Sequence, residues 1–392
     1  MSKTIVVGAG INGVTAAIEL RRRGHKVTLV DPGPLPHPLA ASTDISKAVR
    51  AAYGADEVYT ELAEHSIPLW RKWNEEFAVE LYHEVGVMFV GQREMKPGDF
   101  EFESFKVLGR RGHSIERMNS ARLWKRFPAW NAQLYQDGVL ELEAGYAESA
   151  RVVAVLIARA KSLGIELREG ARFSELDESD DRVIGIVLDN GERISGDIVV
   201  MAVGAWTPYV LPFTRKFFRA TGQPVFHLKP RQPELFAPER FPVFGADIST
   251  TGYYGFPLSR EGVVKIANHG LGREMSPESS ERAVTSEEEK NLREFLSITF
   301  PALADAPIVY TRICLYCDTN DGHFWIAPDP ERPGLIIVAG DCGHGFKFAP
   351  VLGEIIADAA EGRSNPLQEK FRWRPEMALG SGTDAARFRG DR

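Results

Sequence analysis

The chain has 392 residues, a formal net charge of −7 and 44% hydrophobic residues. That length suits two or three domain-sized units with a real core, and the acidic balance gives no cationic surface for nucleic acid. No apolar run approaches the ~20 residues that span a bilayer, and the first residues enter a strand directly, so neither a membrane span nor a signal peptide is expected. Three cysteines, Cys314, Cys317 and Cys342, are too few for a disulfide framework and fit a reducing, cytoplasmic setting. The ending Gly390-Asp391-Arg392 is not a peroxisomal address.

Residues 4–31 read TIVVGAGINGVTAAIELRRRGHKVTLVD. An apolar, β-branched run leads into Gly8, Gly10 and Gly13, then a helical stretch, then a second apolar run ending at Asp31. Gly8 permits a tight turn, Gly10 lets the backbone approach a pyrophosphate, and Gly13 lets the helix pack close on the strand. The helix N-terminus offers N–H groups and a positive dipole to phosphates, and Asp31 can accept from ribose hydroxyls. An acid at this position favours FAD or NAD over NADP.

A proline-rich loop follows, Pro32 to Pro38. Residues 56–80 carry a helical pattern, and Val85 to Val90 a strand. Residues 118–130 read as a polar connector ending Phe127-Pro128-Ala129-Trp130. Ser149 to Leu163 reads as a helix and Ile165 to Arg168 as a strand. Val183 to Leu188 and Glu192 to Ser195 flank an Asn190-Gly191 turn, a hairpin signal. A buried strand from Asp197 ends at Gly204-Ala205-Trp206. Residues 215–322 lose this rhythm and read as antiparallel strands, with a charged helix near Ser286 to Leu296. The rhythm returns with a strand at Gly334 to Ala339, a glycine-rich loop at Gly340 to Lys347, and a helix whose apolar positions 351, 352, 355, 356 and 359 share one face.

The expected fold is therefore mixed α/β. A Rossmann-like nucleotide domain is assembled from residues 1–80, 145–212 and 323–375. An antiparallel-sheet substrate domain comprises 81–144 and 213–322, and 376–392 is a polar, mobile tail. A nucleotide domain split in this way is more typical of flavin enzymes than of NAD dehydrogenases, by analogy of fold.

Several residues can carry chemistry. In Tyr253 to His269, a turn at Ser259-Arg260-Glu261-Gly262 joins two strands, and period-2 alternation sets Lys265, Ala267 and His269 on one face. Lys265 reads equally as an inward cation or a solvated edge-strand lysine, and His269 as a structural histidine. The Gly340–Phe348 loop opens toward a helix, so its N–H groups can meet anionic atoms, and Lys347 can bind a carboxylate. Lys47 and Arg50, spaced by three, would share a helix face. Cys314 and Cys317 form CxxC, but no second ligand pair exists for zinc, and spacing alone favours buried structural thiols. No metal site is expected.

Taken together these residues resemble the monomeric sarcosine oxidase family of covalent flavoproteins, within the D-amino-acid-oxidase-like superfamily, which includes N-methyltryptophan, pipecolate and fructosyl-amino-acid oxidases. The resemblance covers about residues 4–375. It rests on Cys314-Leu-Tyr-Cys-Asp-Thr with His323-Phe324 beyond, on Gly343-His344-Gly345-Phe346-Lys347-Phe348, on Tyr253-Tyr254-Gly255-Phe256-Pro257 with Lys265 and His269, on Gly204-Ala205-Trp206, and on Arg50 with Tyr53-Gly54.

The resemblance implies an FAD-dependent oxidase of N-substituted amino acids, with hydride leaving the carbon next to nitrogen and dioxygen becoming hydrogen peroxide. It implies that Cys314 forms a thioether to the flavin, overturning the spacing-only reading, and that Lys265 activates dioxygen. Arg50 and Lys347, with Lys47 beside them, would bind the substrate carboxylate, while Tyr254, Tyr316 and His269 line the substrate cavity. Gly8, Gly10, Gly13, Asp31, Ser42, Phe173, Gly204, Trp206, Gly343, Gly345, Phe346 and Lys347 would hold FAD. The expected partners are a small amino acid with a free carboxylate and dioxygen, and the expected state is a monomer. Lys47 and Thr43 replace an arginine and a histidine of the sarcosine oxidases. Asp44-x-x-Lys47 and the Arg312–Thr319 segment lean toward the fructosyl-amino-acid branch. A flavin dehydrogenase using another acceptor is the alternative reaction.

Overall fold

The computed structural model describes residues 2–376 together with 386 and 387. Most of the expected 376–392 tail lies outside the described residues.

The apolar runs at the start of the chain build the centre of a six-stranded sheet. Its order is Trp325–Pro328, Leu335–Ala339, Ile198–Met201, Lys3–Val7, Lys26–Asp31, Glu166–Glu169. All neighbours are parallel except Trp325–Pro328, which runs antiparallel to Leu335–Ala339. Strands such as Ile5–Val7 are apolar without alternation because both faces are covered. The helices Ile11–Arg22, Ser149–Ser162 and Ala349–Glu361 bury Val14, Leu20, Val152, Leu156, Leu352 and Ile356 in one core with Val6, Leu29 and Val200. The register sets Val7 beside Val30 and Met201, which aligns the carboxyl ends of three strands where open α/β sheets bind ligands.

The second large sheet is mixed. It holds the long pair Phe218–Leu228 and Ile308–Thr319, the strands Tyr253–Gly255 and Val264–Asn268 around the Ser259–Gly262 turn, and Val87–Gly91, Ile115–Asn119 and Asp137–Glu141. It is not wholly antiparallel: Val243–Ala246 runs parallel to Val87–Gly91.

Three local expectations are corrected. The polar connector at 118–130 contains a helix, Ser120–Arg126, capped by the Asn119 side chain, which accepts from the Arg122 N–H at 3.0 Å. Its terminal Trp130 is core, packed edge-on against Phe300 at 4.6 Å between ring centres. The 56–80 pattern is the helix Glu57–Glu76, as read, but Lys47 and Arg50 share no helix face. Lys47–Val49 is a strand paired with Gly145–Ala147, and that long-range pairing outweighs the helical spacing of two cations. The hairpin at 182–195 is a three-stranded sheet, because Phe173–Ser179 joins its edge with broken alternation that hides it in the sequence.

Candidate active site

The first helix begins at Ile11, directly after the glycine turn, so its N-terminus faces a cleft of about 970 Å³ at the carboxyl end of the parallel sheet. Gly8, Gly10, Asp31, Ser42, Phe173, Gly204 and Trp206 all line it. Gly13 does not; a Cβ there would overlap the Gly8 carbonyl, so it permits the close helix–strand contact read from the sequence. Asp31 accepts from the Ala9 N–H at 2.8 Å and the Gly33 N–H at 3.0 Å. Burial pushes its carboxyl above the usual range, against those two donors. Ser42 Oγ accepts from the Ile11 N–H at 3.3 Å. The Asn12 side-chain oxygen, also on the cleft, is buried with no hydrogen-bond partner among the described residues. A glycine cradle, a helix N-terminus and an unsatisfied amide suit a dinucleotide.

A second cavity, about 610 Å³, gathers residues far apart in sequence: Lys47, Arg50, Tyr254, His269, Tyr316, Gly343, Phe346 and Lys347. Gly345 lines neither space. Two segments contribute residues to both spaces. Leu315 and Asp341 line the cleft, and their neighbours Tyr316 and Gly343 line the cavity. Gly343 has a φ of +77°, and any Cβ there would strike the Tyr316 ring. Tyr53 joins the two expected carboxylate anchors. The Arg50 guanidinium lies 4.4 Å over its ring centre, and Lys347 Nζ donates to its hydroxyl at 2.9 Å. Lys347 Nζ also donates to the His344 carbonyl at 2.7 Å. On the opposite wall His269 Nδ1 is 3.2 Å from the Tyr316 hydroxyl. Burial holds the Tyr254 phenol up at about 12 and raises Tyr316 well above its ordinary value, so both are neutral hydrogen-bonding groups at pH 7.

Lys265 is buried, so the solvated edge-strand reading falls. It lines a different cavity, about 510 Å³, with Ser46, Phe256 and Ser259. Burial lowers its ammonium to about 8, opposed by the Asp44 carboxylate.

The two CxxC thiols part company. In the strand Ile308–Thr319, Cys314 packs with Val225, Ala267 and Tyr316, whereas Cys317 packs with Val7, Met201 and Trp325 beneath the parallel sheet. Residues three apart on a strand face opposite ways. Among the described residues no His, Cys, Asp or Glu group could hold a metal ion.

Sequence reading missed two buried acids. Asp44 binds both Lys265 and Lys47; its motif gave a family leaning but no role. Asp318 holds Arg387, which donates to it at 2.7 and 2.8 Å and to the Gly270 carbonyl at 2.8 Å, under the Tyr316 ring. Only the Asp within Cys314–Thr319 hinted at it; nothing in the tail composition did.

A parallel sheet with a glycine cradle at its carboxyl edge, together with a cationic aromatic cavity on a mixed sheet, suits a dinucleotide-dependent oxidoreductase. A family model described as FAD dependent oxidoreductase (DAO) matches residues 3–359, and the chain belongs to that family. It is 28% identical over 362 residues to a monomeric sarcosine oxidase of Bacillus sp. (strain B-0618), covering 91% of each chain. It is 27% identical over 413 residues to an L-saccharopine oxidase of Schizosaccharomyces pombe, covering 96% of this chain and 94% of that one. Among solved structures it is similar to the fructosamine oxidase Amadoriase II of Aspergillus fumigatus, with TM-score 0.84, 26% identity, and coverage of 99% and 94%. The cleft residues fit the FAD that the family name implies. No helix among the described residues is long and apolar enough to cross a membrane.

Proposed function

We propose that this enzyme oxidises an N-substituted α-amino acid at the carbon next to nitrogen and reduces dioxygen to hydrogen peroxide. The observation that carries the reading is the cavity in which Lys47, Arg50 and Lys347 stand among Tyr254, His269 and Tyr316. Cations in an aromatic, largely desolvated cavity call for an anionic ligand, and the substrate is a free acid. Arg50 and Lys347, braced on Tyr53, bind its carboxylate. The Tyr316–His269 pair and neutral Tyr254 shape the opposite wall and orient the C–H bond toward the cleft. FAD, when bound, supplies the hydride acceptor and the reductant of dioxygen. The Lys265 ammonium stabilises negative charge as dioxygen takes up electrons.

Cys314 carries the flavin as a thioether. Its packing on the cavity side of its strand, with Lys47 Nζ 3.7 Å from its sulfur, supports this choice over Cys317. The protein works as a monomer on this reading.

The N-substituent has two readings. The sarcosine relative favours N-methyl amino acids. The Asp44–Lys47 ion pair at 3.2 Å, together with the likeness to Amadoriase II, favours fructosyl amino acids. A peroxide-coupled screen of sarcosine, other N-methyl amino acids, cyclic imino acids and fructosyl amino acids separates them. Peroxide from a free acid and far less from its ester is expected. Anaerobic bleaching by a substrate that yields no peroxide in air would replace the oxidase with a dehydrogenase.

A further inference from the structure

We propose that Asp44 is a positioning residue: one buried carboxylate that clamps Lys265 and Lys47 together and keeps Lys265 in its charged form for the reaction with dioxygen. The inference rests on the reading of Lys265 given above.

The geometry is a closed triad. Asp44 Oδ2 lies 2.6 Å from Lys265 Nζ and 3.2 Å from Lys47 Nζ. The side chains of Asp44 and Lys265 are each 1% exposed. The Asp44 carbonyl accepts from Ser149 Oγ at 2.5 Å and the Ala150 N–H at 2.9 Å, which pins the residue to the start of the helix Ser149–Ser162. Its Oδ1 takes the Ile45 N–H at 2.7 Å. Lys265 is fixed further by the Ser46 carbonyl at 2.6 Å and by the Phe256 ring, 4.5 Å from Nζ. Lys47 lines the cavity of the carboxylate anchors and Lys265 lines the other one, so Asp44 joins the cations of two separate spaces.

The charge balance explains the need for it. A buried ammonium beside a second ammonium loses its proton readily. Asp44 opposes both effects on Lys265, and its own carboxyl is held well below the usual range by Lys265 and Lys47 despite burial. Two cations and one anion leave one net positive charge. The other groups facing this triad are His227, 3.7 Å from Oδ1, Cys314 at Lys47, Tyr254, and Arg312, which donates to the Thr43 and Ala40 carbonyls. Across the Lys265 cavity stand Glu148, Arg151, Arg260 and Glu261.

The test is Asp44→Asn in the holoenzyme, read in two ways. The first is the pH profile of reoxidation by oxygen after photoreduction. The ammonium is the working form, so the rate falls as pH rises through the Lys265 titration. In Asp44→Asn that fall should move down by about one to three pH units, leaving reoxidation roughly tenfold or more slower at pH 8 and recovering at low pH. The second readout is the titration of Lys265 itself by NMR of side-chain ¹⁵N-labelled lysine, assigned by the signal lost in Lys265→Met. It should move down in step. An unmoved titration and an unmoved pH profile in a folded Asp44→Asn enzyme overturn the proposal. Should Asp44→Asn not fold, Asp44→Ser, which also removes the carboxylate, gives the same test. The Lys265 titration should move down, and an unmoved titration overturns the proposal. Lys265→Met judges the underlying reading alone. If it reoxidises as fast as wild type, Lys265 is not the oxygen site, and the NMR titration still decides whether Asp44 holds its charge.

Discussion

The Lys47 ammonium lies 3.7 Å from the Cys314 sulfur, on the face of the strand that Cys317 does not share. That contact sets Cys314, and not Cys317, beside a cation on the side of the substrate cavity. Lys47 is itself held above the usual lysine range: burial pulls it down, and Cys314 and Asp44 more than offset that. Burial pushes the Cys317 thiol well up.

Flavin attachment should follow this asymmetry. Acid-precipitated wild-type protein should stay yellow. Cys314→Ala should release its flavin into the supernatant, and Cys317→Ala should retain it. Mass spectrometry of the flavin-bearing peptide locates the bond. Free flavin from acid-treated wild type, or a flavin on Cys317, removes Cys314 from its role.

The carboxylate anchors make a second prediction. A charge-assisted hydrogen bond contributes about 1.5–3 kcal/mol, so Arg50→Ala and Lys347→Ala should each raise the apparent Kd for an acid substrate by roughly one to two decades. Both cations meet at Tyr53, so the double variant should lose less than the sum. Tyr53→Phe should weaken binding less than either, since it removes the hydroxyl's hydrogen bonds to Lys347 and His344 but no charge. Spectral titration of the bound flavin under anaerobic conditions measures all four. An ester substrate should bind wild type weakly and lose little more in the variants. Unchanged acid binding in both single variants would send the carboxylate elsewhere.

How much of this was legible in the chain depends on the range of the interaction. The glycine turn, the first helix and Asp31 were readable because the motif's own residues lie within residues 4–31. Gly204 was legible as the glycine ending a buried strand where a ligand approaches, Ser42, Phe173 and Trp206 only by resemblance, and all four converge on the same cleft. Lys47 and Arg50 misled a local reading, since their spacing fits a helix while pairing with Gly145–Ala147 makes a strand. Trp130 was hidden in a polar stretch because its partners, Phe241, Phe244 and Phe300, come from more than 100 residues later. Asp44 carries no local sign of burial. Only the meeting of Val264–Asn268 with the 44–47 segment turns it into the counter-ion of Lys265.

Glu101 gives a third prediction, this one on stability. It sits in the first turn of the helix Phe100–Arg110, is 6% exposed, and its Oε1 has no hydrogen-bond partner among the described residues. Burial, aided by Asp247 and Asp99, raises its carboxyl to about 7. The unfolded chain releases this proton near the ordinary glutamate value of about 4.3. Between those two pH values the folded state holds more protons than the unfolded one, so stability falls as pH rises through the window and the full cost is present above it. That cost is on the order of 3–4 kcal/mol. Glu101→Gln keeps the shape and cannot ionise. Its urea midpoint relative to wild type should therefore be distinctly higher at pH 8 than at pH 5. Wild type itself should lose stability over that interval more steeply than the variant. Parallel pH dependences in the two proteins would mean that Glu101 is ionised and solvated in the fold, against its burial.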